Sequence, residues 1–193
     1  MMSTPILRTT RLTLSAPTPA DAEAITDACQ DPEIPRWTPL PSPYTTQHAV
    51  EFIGEAASRA EADTGHEWAI RAAGDGAAGS LVGMISLTRR GPGAAEIGFW
   101  MRADQRGNGY LTEAARAVID HAFEPSGLGL DRLEWNAAAG NMASARAARA
   151  LGFRFEGVRR GAFITTSGGR TDGWSAGRLF TDSPDPAAWD LLG

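Results

Sequence analysis

The sequence lacks the features that would assign it to a membrane or to an oxidising compartment. Its 193 residues include one cysteine, Cys29, so the chain cannot form an internal disulfide, which is usual in a reducing cytoplasm. No apolar run approaches the ~18 residues that a membrane span requires. The opening residues, MMSTPILRTTRL, lack the apolar core of a signal peptide. We therefore expect a cytoplasmic protein that does not interact with a membrane.

Excess basic charge and metal-binding spacings are also missing. The chain has 18 Lys and Arg against 23 Asp and Glu, a formal net charge of −5, whereas a nucleic-acid binder needs a basic face. A tetrahedral metal site needs clustered ligands, and His48, His66 and His121 show no such spacing. We expect neither a nucleic acid nor a metal ion as a partner. Backbone amides can still bind an anion locally.

The hydrophobic pattern predicts one mixed α/β (α+β) domain over residues 1–193, with a core of about 7–181 and a short C-terminal tail. The predicted order is β-α-α-β-β-β-α-β-α-β-β, with a largely antiparallel sheet. The predicted segments are a strand at Arg11–Ala16, a helix after Thr18, a rigid Pro-rich loop at Asp31–Tyr44, a helix from Thr46, strands at Glu67–Ala72, Leu81–Thr88 and Ala94–Met101, a helix from about Leu111, a strand at Leu133–Ala137, a helix at Asn141–Leu151, and strands at Val158–Thr165 and Gly173–Phe180. Gly-rich turns are predicted at Gly74–Gly79, Gly91–Gly93 and Ser167–Gly169.

The loop before the helix at Leu111 has the chemistry of an anion site. A helix start leaves backbone N–H groups unpaired and carries partial positive charge. Gly107 and Gly109 remove side chains, so a phosphate can approach those amides closely. The Gly-Lys-Ser/Thr ending of a P-loop and the Rossmann glycine spacing are both absent from the sequence. The pattern therefore favours a pyrophosphate cradle, although glycine spacing alone also fits a simple turn that opens an amphipathic helix.

Three motifs occur in order along the chain. They are the strand Glu96-Ile-Gly-Phe-Trp-Met, the loop Arg106-Gly-Asn-Gly-Tyr-Leu, and the helix Asn141-Met-Ala-Ser followed by Leu151-Gly-Phe. Together they resemble the GNAT superfamily of acetyltransferases, in its RimJ/RimL branch. The matching element order extends from Leu7 to about Thr181. The resemblance implies a GNAT-like fold in which the strand before the loop, Ala94–Met101, carries a bulge and splays from its neighbour, so that the pantetheine arm of acetyl-CoA inserts as an extra strand.

The resemblance also implies which residues bind acetyl-CoA. They are Phe99, Trp100, Met101 and Arg102 along the arm, Arg106, Gly107, Asn108, Gly109, Tyr110 and Leu111 around the pyrophosphate, and Asn141 through its side-chain amide. A backbone N–H near Met101 would hold the thioester oxygen as charge develops there. Leu111 stands where the family usually has a small residue, but its backbone amide is unaffected by that change.

The implied chemistry is direct attack of a neutral amine on the thioester in a ternary complex, which needs a proton acceptor and a proton donor. Many family members use a tyrosine donor at the position of Ala148, whereas the RimJ/RimL branch implies Ser144. Glu96 is a candidate acceptor acting through a water, with Glu134 and Asp172 as alternatives. Ser144 is equally typical of a helix cap, and a strand carboxylate is often simply solvated.

The acceptor is expected to enter between the Pro-rich loop and the last hairpin, lined by Trp37, Tyr44 and Phe163. Neutralising a peptide α-amine at pH 7 costs only about 1–1.4 kcal/mol, against about 4.6 kcal/mol for a lysine. A chain with no obvious strong base therefore favours an α-amine, such as a protein or peptide N-terminus, or another amine of low pKa. A small amine, such as an antibiotic, a polyamine or an amino acid, and a non-catalytic acyl-CoA-binding module stay open as alternatives. A homodimer is also left open.

Overall fold

The computed structural model describes residues 3–73, 79–164 and 168–190. In these residues the elements are β1 (Leu7–Arg8), β2 (Leu12–Ser15), α1 (Ala22–Ala28), α2 (Glu33–Trp37), α3 (Thr46–Glu61), β3 (Gly65–Ala72), β4 (Ser80–Arg89), β5 (Ala94–Met101), α4 (Tyr110–Phe123), β6 (Arg132–Ala138), α5 (Met142–Ala150), β7 (Arg154–Ile164) and β8 (Arg170–Leu179). Of the turns predicted around Gly74–Gly79 and Ser167–Gly169, residues 74–78 and 165–167 lie outside the described residues.

The strands form one sheet in the order β1-β2-β3-β4-β5-β6-β8-β7. Every neighbouring pair is antiparallel except β5 and β6, which are parallel. The predicted mixed α/β class with a largely antiparallel sheet is confirmed. Within the described ranges, no helix is long and apolar enough to cross a membrane.

Helices cover both faces of the sheet, because alternate strand residues present apolar side chains to each face. One core contains Val118 and Ile119 of α4 together with Trp68 of β3. The other contains Ile25 of α1 and Ile53 of α3. The candidate site lies at the middle of the sheet, between these two layers.

The first helix begins as its sequence predicts and is fixed to the sheet by a buried ion pair. Thr18 and Asp21 form a capping box around a 3-10 turn that leads into α1. The Arg71 guanidinium donates to both oxygens of Asp21, at 2.7 and 2.8 Å. Burial alone would raise the pKa of Asp21, but the bonds from Arg71 and Thr18 outweigh it and hold that pKa below its usual value.

Two departures from the predicted segments have a local reason. The Pro-rich segment contains the short helix α2, because Pro35 lies in the first helical turn, where its missing N–H is not needed. Strand β7 begins at Arg154, four residues before the predicted start, because an irregularity between Phe155 and Gly157 interrupts the alternation. The strand β1 was not predicted, since two residues are too few to show a period.

Candidate active site

The parallel strands β5 and β6 separate after their first residues. They pair only at Ala94–Arg132, Ala95–Leu133 and Glu96–Glu134, although β5 continues to Met101 and β6 to Ala138. Each strand instead follows its antiparallel neighbour, β5 along β4 and β6 along β8. The sheet therefore has an internal gap, as the predicted splay requires. The expected bulge in β5 is wrong, because its register with β4 is unbroken over residues 95–101.

The gap exposes backbone donors of β5. Antiparallel neighbours alternate between residues that bond to the partner strand and residues that point away from it. The N–H of Arg102 donates to the carbonyl of Val82 at 2.9 Å. By alternation, Phe99 and Met101 direct their N–H groups away from β4 and into the gap.

A cavity of about 670 Å³ lies over this gap. It brings together most of the site residues predicted from the sequence: Trp37, Glu96, Phe99, Trp100, Met101, Arg106, Gly107, Gly109, Tyr110, Leu111, Asn141, Ser144 and Phe163. It is also lined by residues that sequence reasoning missed, among them Glu33, Gln105, Thr112, Trp135 and Asn136. The elements α2, β5, β6 and β7 and the starts of α4 and α5 all contribute to its wall.

Three predicted residues lie elsewhere. Arg102 bonds to Asp104 at 3.2 Å, and the Asn108 side chain donates to the carbonyl of Gln105 at 3.2 Å. Tyr44 is 7% exposed and packs in the core on the α1–α3 side, where burial raises its pKa to about 12. The prediction that Tyr44 lines the acceptor side is therefore wrong, because its ring anchors the Pro-rich segment to the core.

The start of α4 presents a row of free amides at the edge of the cavity. Gly109 precedes the helix with a left-handed φ of 76°, a conformation that favours glycine. Among the described residues, no carbonyl or side chain accepts a hydrogen bond from the N–H groups of Gly109, Tyr110, Leu111 or Thr112. Such unpaired donors at a helix start form an anion site. No acceptor within the described chain competes for these four groups.

Long-range contacts hold this loop in place. The Arg106 guanidinium donates to the carbonyl of Met101 at 3.0 Å and to the carboxylate of Asp31. Arg11, which directly precedes β2, donates to the carbonyl of Asn108 at 3.0 Å and pairs with Glu113 at 2.7 Å. Arg106 thus braces the loop. No local sequence signal identifies Asp31 as a partner of Arg106, or Asn108 and Glu113 as partners of Arg11, because these residues are 75 to 102 positions apart.

Ser144 has two defined partners. Its backbone N–H donates to Oδ1 of Asn141, the N-cap of α5, at 3.2 Å. The indole of Trp135, which is 1% exposed, donates to the Ser144 Oγ at 3.0 Å. The indole occupies an acceptor position of the hydroxyl, so the hydroxyl hydrogen stays available to a group in the cavity. In the described residues nothing accepts that hydrogen.

Of the three candidate proton acceptors, only Glu96 lines the cavity. Arg90 donates to its Oε2 from Nε at 2.9 Å and from Nη2 at 2.8 Å, which leaves Oε1 free. Glu134 bonds instead to Arg132, and Asp172 accepts from the N–H of Gly161.

Aromatic side chains define the far end of the cavity. Trp37 and Phe163 both line it and are half-buried. The Trp37 indole donates to Glu33 at 3.1 Å, and the Arg36 guanidinium lies over the Trp37 ring, 4.6 Å from its centroid. Hydrogen bonds from Arg36 and Trp37 lower the pKa of Glu33, so Glu33 remains a carboxylate and is a weak base.

Known proteins with similar sequences and structures are acetyltransferases. A family model described as an acetyltransferase (GNAT) domain matches residues 11–154. The uncharacterized N-acetyltransferase YoaA of Bacillus subtilis (strain 168) is 31% identical over 156 residues, which cover 81% of this chain and 86% of that protein. A solved probable acetyltransferase is 28% identical, with a TM-score of 0.80 over 92% of this chain and 98% of that chain.

The fold is also that of RimL, a ribosomal L7/L12 alpha-N-protein acetyltransferase solved in complex with coenzyme A. That chain is 19% identical, with a TM-score of 0.80 over 91% of this chain and 98% of its own. At this identity the likeness concerns the fold alone.

Proposed function

This chain belongs to the GNAT family of acetyltransferases and is an N-acetyltransferase, and on that premise we propose that it transfers the acetyl group of acetyl-CoA directly to a primary amine. The observation that carries the proposal is the continuity of two sets of amides. The free N–H groups at the start of α4 and those of Phe99 and Met101 border one cavity. A diphosphate and an amide-bearing arm need donors of this kind.

The residues of the cavity fit that substrate. Gly109, Tyr110 and Leu111 would bind the diphosphate through their amides, and Asn141 keeps its side-chain NH₂ free while its Oδ1 caps α5. The N–H of Met101 would stabilise the charge that develops on the thioester oxygen. When bound, acetyl-CoA supplies the activated acetyl group. The two proton transfers fall to side chains of this chain.

Ser144 would protonate the departing sulfur. The Trp135 indole donates to its hydroxyl oxygen, which leaves the hydroxyl hydrogen available to the cavity. In the same step Glu96 would receive the proton of the attacking amine, directly or through a water, at the oxygen that Arg90 leaves free. Ser144 would regain its proton from water, and Glu96 would release the proton of the amine to water, so that the net products are the amide and the free thiol. A carboxylate is a weak base, so an acceptor amine of low pKa suits this site.

The acceptor is proposed to be a protein or peptide α-amine, entering between Trp37 and Phe163. The decisive assay measures CoA thiol release from acetyl-CoA across short peptides, amino acids, polyamines and aminoglycosides, together with calorimetric binding of CoA. We expect saturable CoA binding and thiol release that depends on an added amine. Binding without amine-dependent release would indicate an acyl-CoA-binding module instead. Absence of binding would refute the proposal altogether.

A further inference from the structure

The β7–β8 hairpin carries guanidinium groups that have no acidic partner. In the described residues no carboxylate lies within 4.0 Å of Arg159, Arg160 or Arg170, whereas most other arginines are paired, such as Arg11, Arg36, Arg59, Arg71, Arg89, Arg90, Arg102, Arg106, Arg132 and Arg154. Unpaired arginines also occur on other surfaces, but these three lie on the strand pair that carries Phe163. In a chain of net charge −5, this is a local positive region.

The hairpin arginines are connected to the cavity wall. The Arg159 guanidinium donates to Oδ1 of Asn136 at 3.2 Å, and Asn136 lines the cavity. Arg170 donates to the carbonyl of Gly161 at 2.8 Å. Arg160 is exposed and has no partner in the described chain. The positive region therefore borders the end of the cavity at which Phe163 lies.

A break in strand register sets this arrangement. Between Arg159 and Phe163, three residues of β7 face one residue of β8, Asp172. Bulges of this kind redirect side chains and are frequent beside active sites. The bulge is closed by Asp172, which accepts from the N–H of Gly161 at 2.8 Å. Asp172 is thus bound to backbone, and it forms no ion pair within 4.0 Å with Arg159, Arg160 or Arg170.

Two carboxylates lie on the other walls of the cavity. Glu96 and Glu33 line the cavity on the β5 and α2 sides, although each is bound by an arginine. An acceptor would therefore have its amine near carboxylates and its next few residues near guanidinium groups. Strands lie about 4.8 Å apart, so β7, the second strand beyond β6, is roughly 10 Å from it. An extended peptide covers that distance in roughly three residues.

We propose that the acceptor is a polypeptide whose N-terminal residue is followed by Asp or Glu at the next few positions, and that Arg159, Arg160 and Arg170 select it. This inference rests on the proposed function and specifies its substrate class. The three arginines are specificity residues, which bind the acceptor without taking part in the chemistry.

The test compares the peptides Ser-Glu-Asp-Glu and Ser-Gln-Asn-Gln, which differ in charge but hardly in shape. We expect the acidic peptide to have a kcat/KM about tenfold higher, the scale of a few partly exposed charge pairs. The preference should shrink as salt rises from about 0.05 M to about 0.5 M, because the pairs are screened. Binding of C-terminally labelled peptides, followed by fluorescence anisotropy, should show the same order without turnover.

Substitution of the three hairpin arginines tests whether they cause the preference for the acidic peptide. In the triple variant R159Q/R160Q/R170Q the two peptides should become equivalent to within about twofold, while CoA affinity stays unchanged. The matched control is Arg8→Gln, another exposed arginine without a carboxylate partner, which lies on β1 and should retain the preference. Circular dichroism verifies folding, and the salt series on the unaltered protein needs no variant.

The other outcomes distinguish a failure of this inference from a failure of the proposed function. Equal rates for the two peptides, or a preference that survives in the triple variant, would overturn this inference and leave the acetyltransferase proposal intact. Free aspartate or glutamate acetylated as well as the peptides would overturn the polypeptide acceptor. No acetylation of any amine would contradict the proposed function itself.

Discussion

The two ends of the cavity are built from different parts of the polypeptide. At one end the candidate cofactor groups are backbone amides, supplied by the start of α4 and by β5. At the other end the wall is made of side chains, chiefly Trp37, Phe163 and Asn136. Backbone donors do not change when a side chain is replaced, whereas a side-chain wall does. Cofactor binding should therefore tolerate most substitutions, and acceptor choice should be sensitive to them.

The largest expected effect lies outside both ends, at the buried ion pair that fixes α1 to the sheet. Asp21→Asn leaves the buried Arg71 charge without its carboxylate partner, so the free energy of unfolding should fall by about 3 kcal/mol. Because the pKa of Asp21 is held below its unfolded value, the wild-type contribution is present above the unfolded pKa. It is lost as pH falls through the folded pKa. Urea unfolding from neutral to acidic pH measures both the loss of stability in Asp21→Asn and the pH dependence of the wild type.

The control for that experiment is Asp104→Asn, which removes the exposed pair with Arg102. Exposed pairs contribute little, so we expect no measurable change in stability. Equal losses in the two variants would contradict the role of the buried pair in holding α1 on the sheet.

The next largest effect is expected at the boundary between the two ends, at Ser144. Ser144→Ala should lower kcat by about 100-fold, the usual scale for general acid catalysis, and leave CoA affinity unchanged. Steady-state kinetics and calorimetry separate the two quantities. Ser144→Thr keeps the hydroxyl and should retain more activity than the alanine variant. An unchanged kcat in Ser144→Ala would leave the hydroxyl with only its structural bond to the Trp135 indole.

A substitution at the cofactor end should change only cofactor binding. Gly109→Val forces a β-branched residue into a left-handed conformation and covers the free amides, so we expect about a 30-fold weaker Kd for CoA. Calorimetry measures it. Gly129→Val imposes similar backbone strain, at a φ of 57°, in the turn before β6. Equal losses of affinity in the two variants would mean that strain, and not blocked amides, is responsible.

The smallest expected effect is at the acceptor end. Trp37→Ala removes an aromatic wall, so KM for the peptide acceptor should rise about fivefold. The Kd for CoA should not change. Trp37→Phe keeps a ring but loses the bond to Glu33. Its KM for the peptide acceptor should lie between the values of the wild type and of Trp37→Ala. A weaker Kd for CoA in Trp37→Ala would erase the distinction between the ends.

The sequence predicts elements best where the hydrophobic period is strong. Strand β5 has its predicted bounds, and the stripe from Leu111 to Ala122 lies within α4 as expected. The period fails where a local feature overrides it, as at Pro35 in α2 and at the bulge before Gly157 in β7. Both exceptions come from backbone conformation, which hydrophobicity does not encode.

The candidate site divides in the same way. Thirteen of the site residues predicted from the sequence line one cavity. Their partners were not predictable, because the bonds of Arg106 to Asp31 and of Trp135 to Ser144 depend on tertiary packing. Tyr44 was misplaced for a related reason, since an aromatic residue in a Pro-rich segment fits a pocket wall and a core anchor equally well. The roles of the cavity residues stay predictions until the experiments above are done.

The separation of β5 from β6 leaves the protein with an unfinished sheet at its centre. The two strands face each other without hydrogen bonds beyond Glu96, so backbone groups in the gap depend on water until a slender molecule takes the place of a missing strand. A ligand seated there would complete the fold as well as react, and its loading should raise the melting temperature and slow amide exchange in both strands.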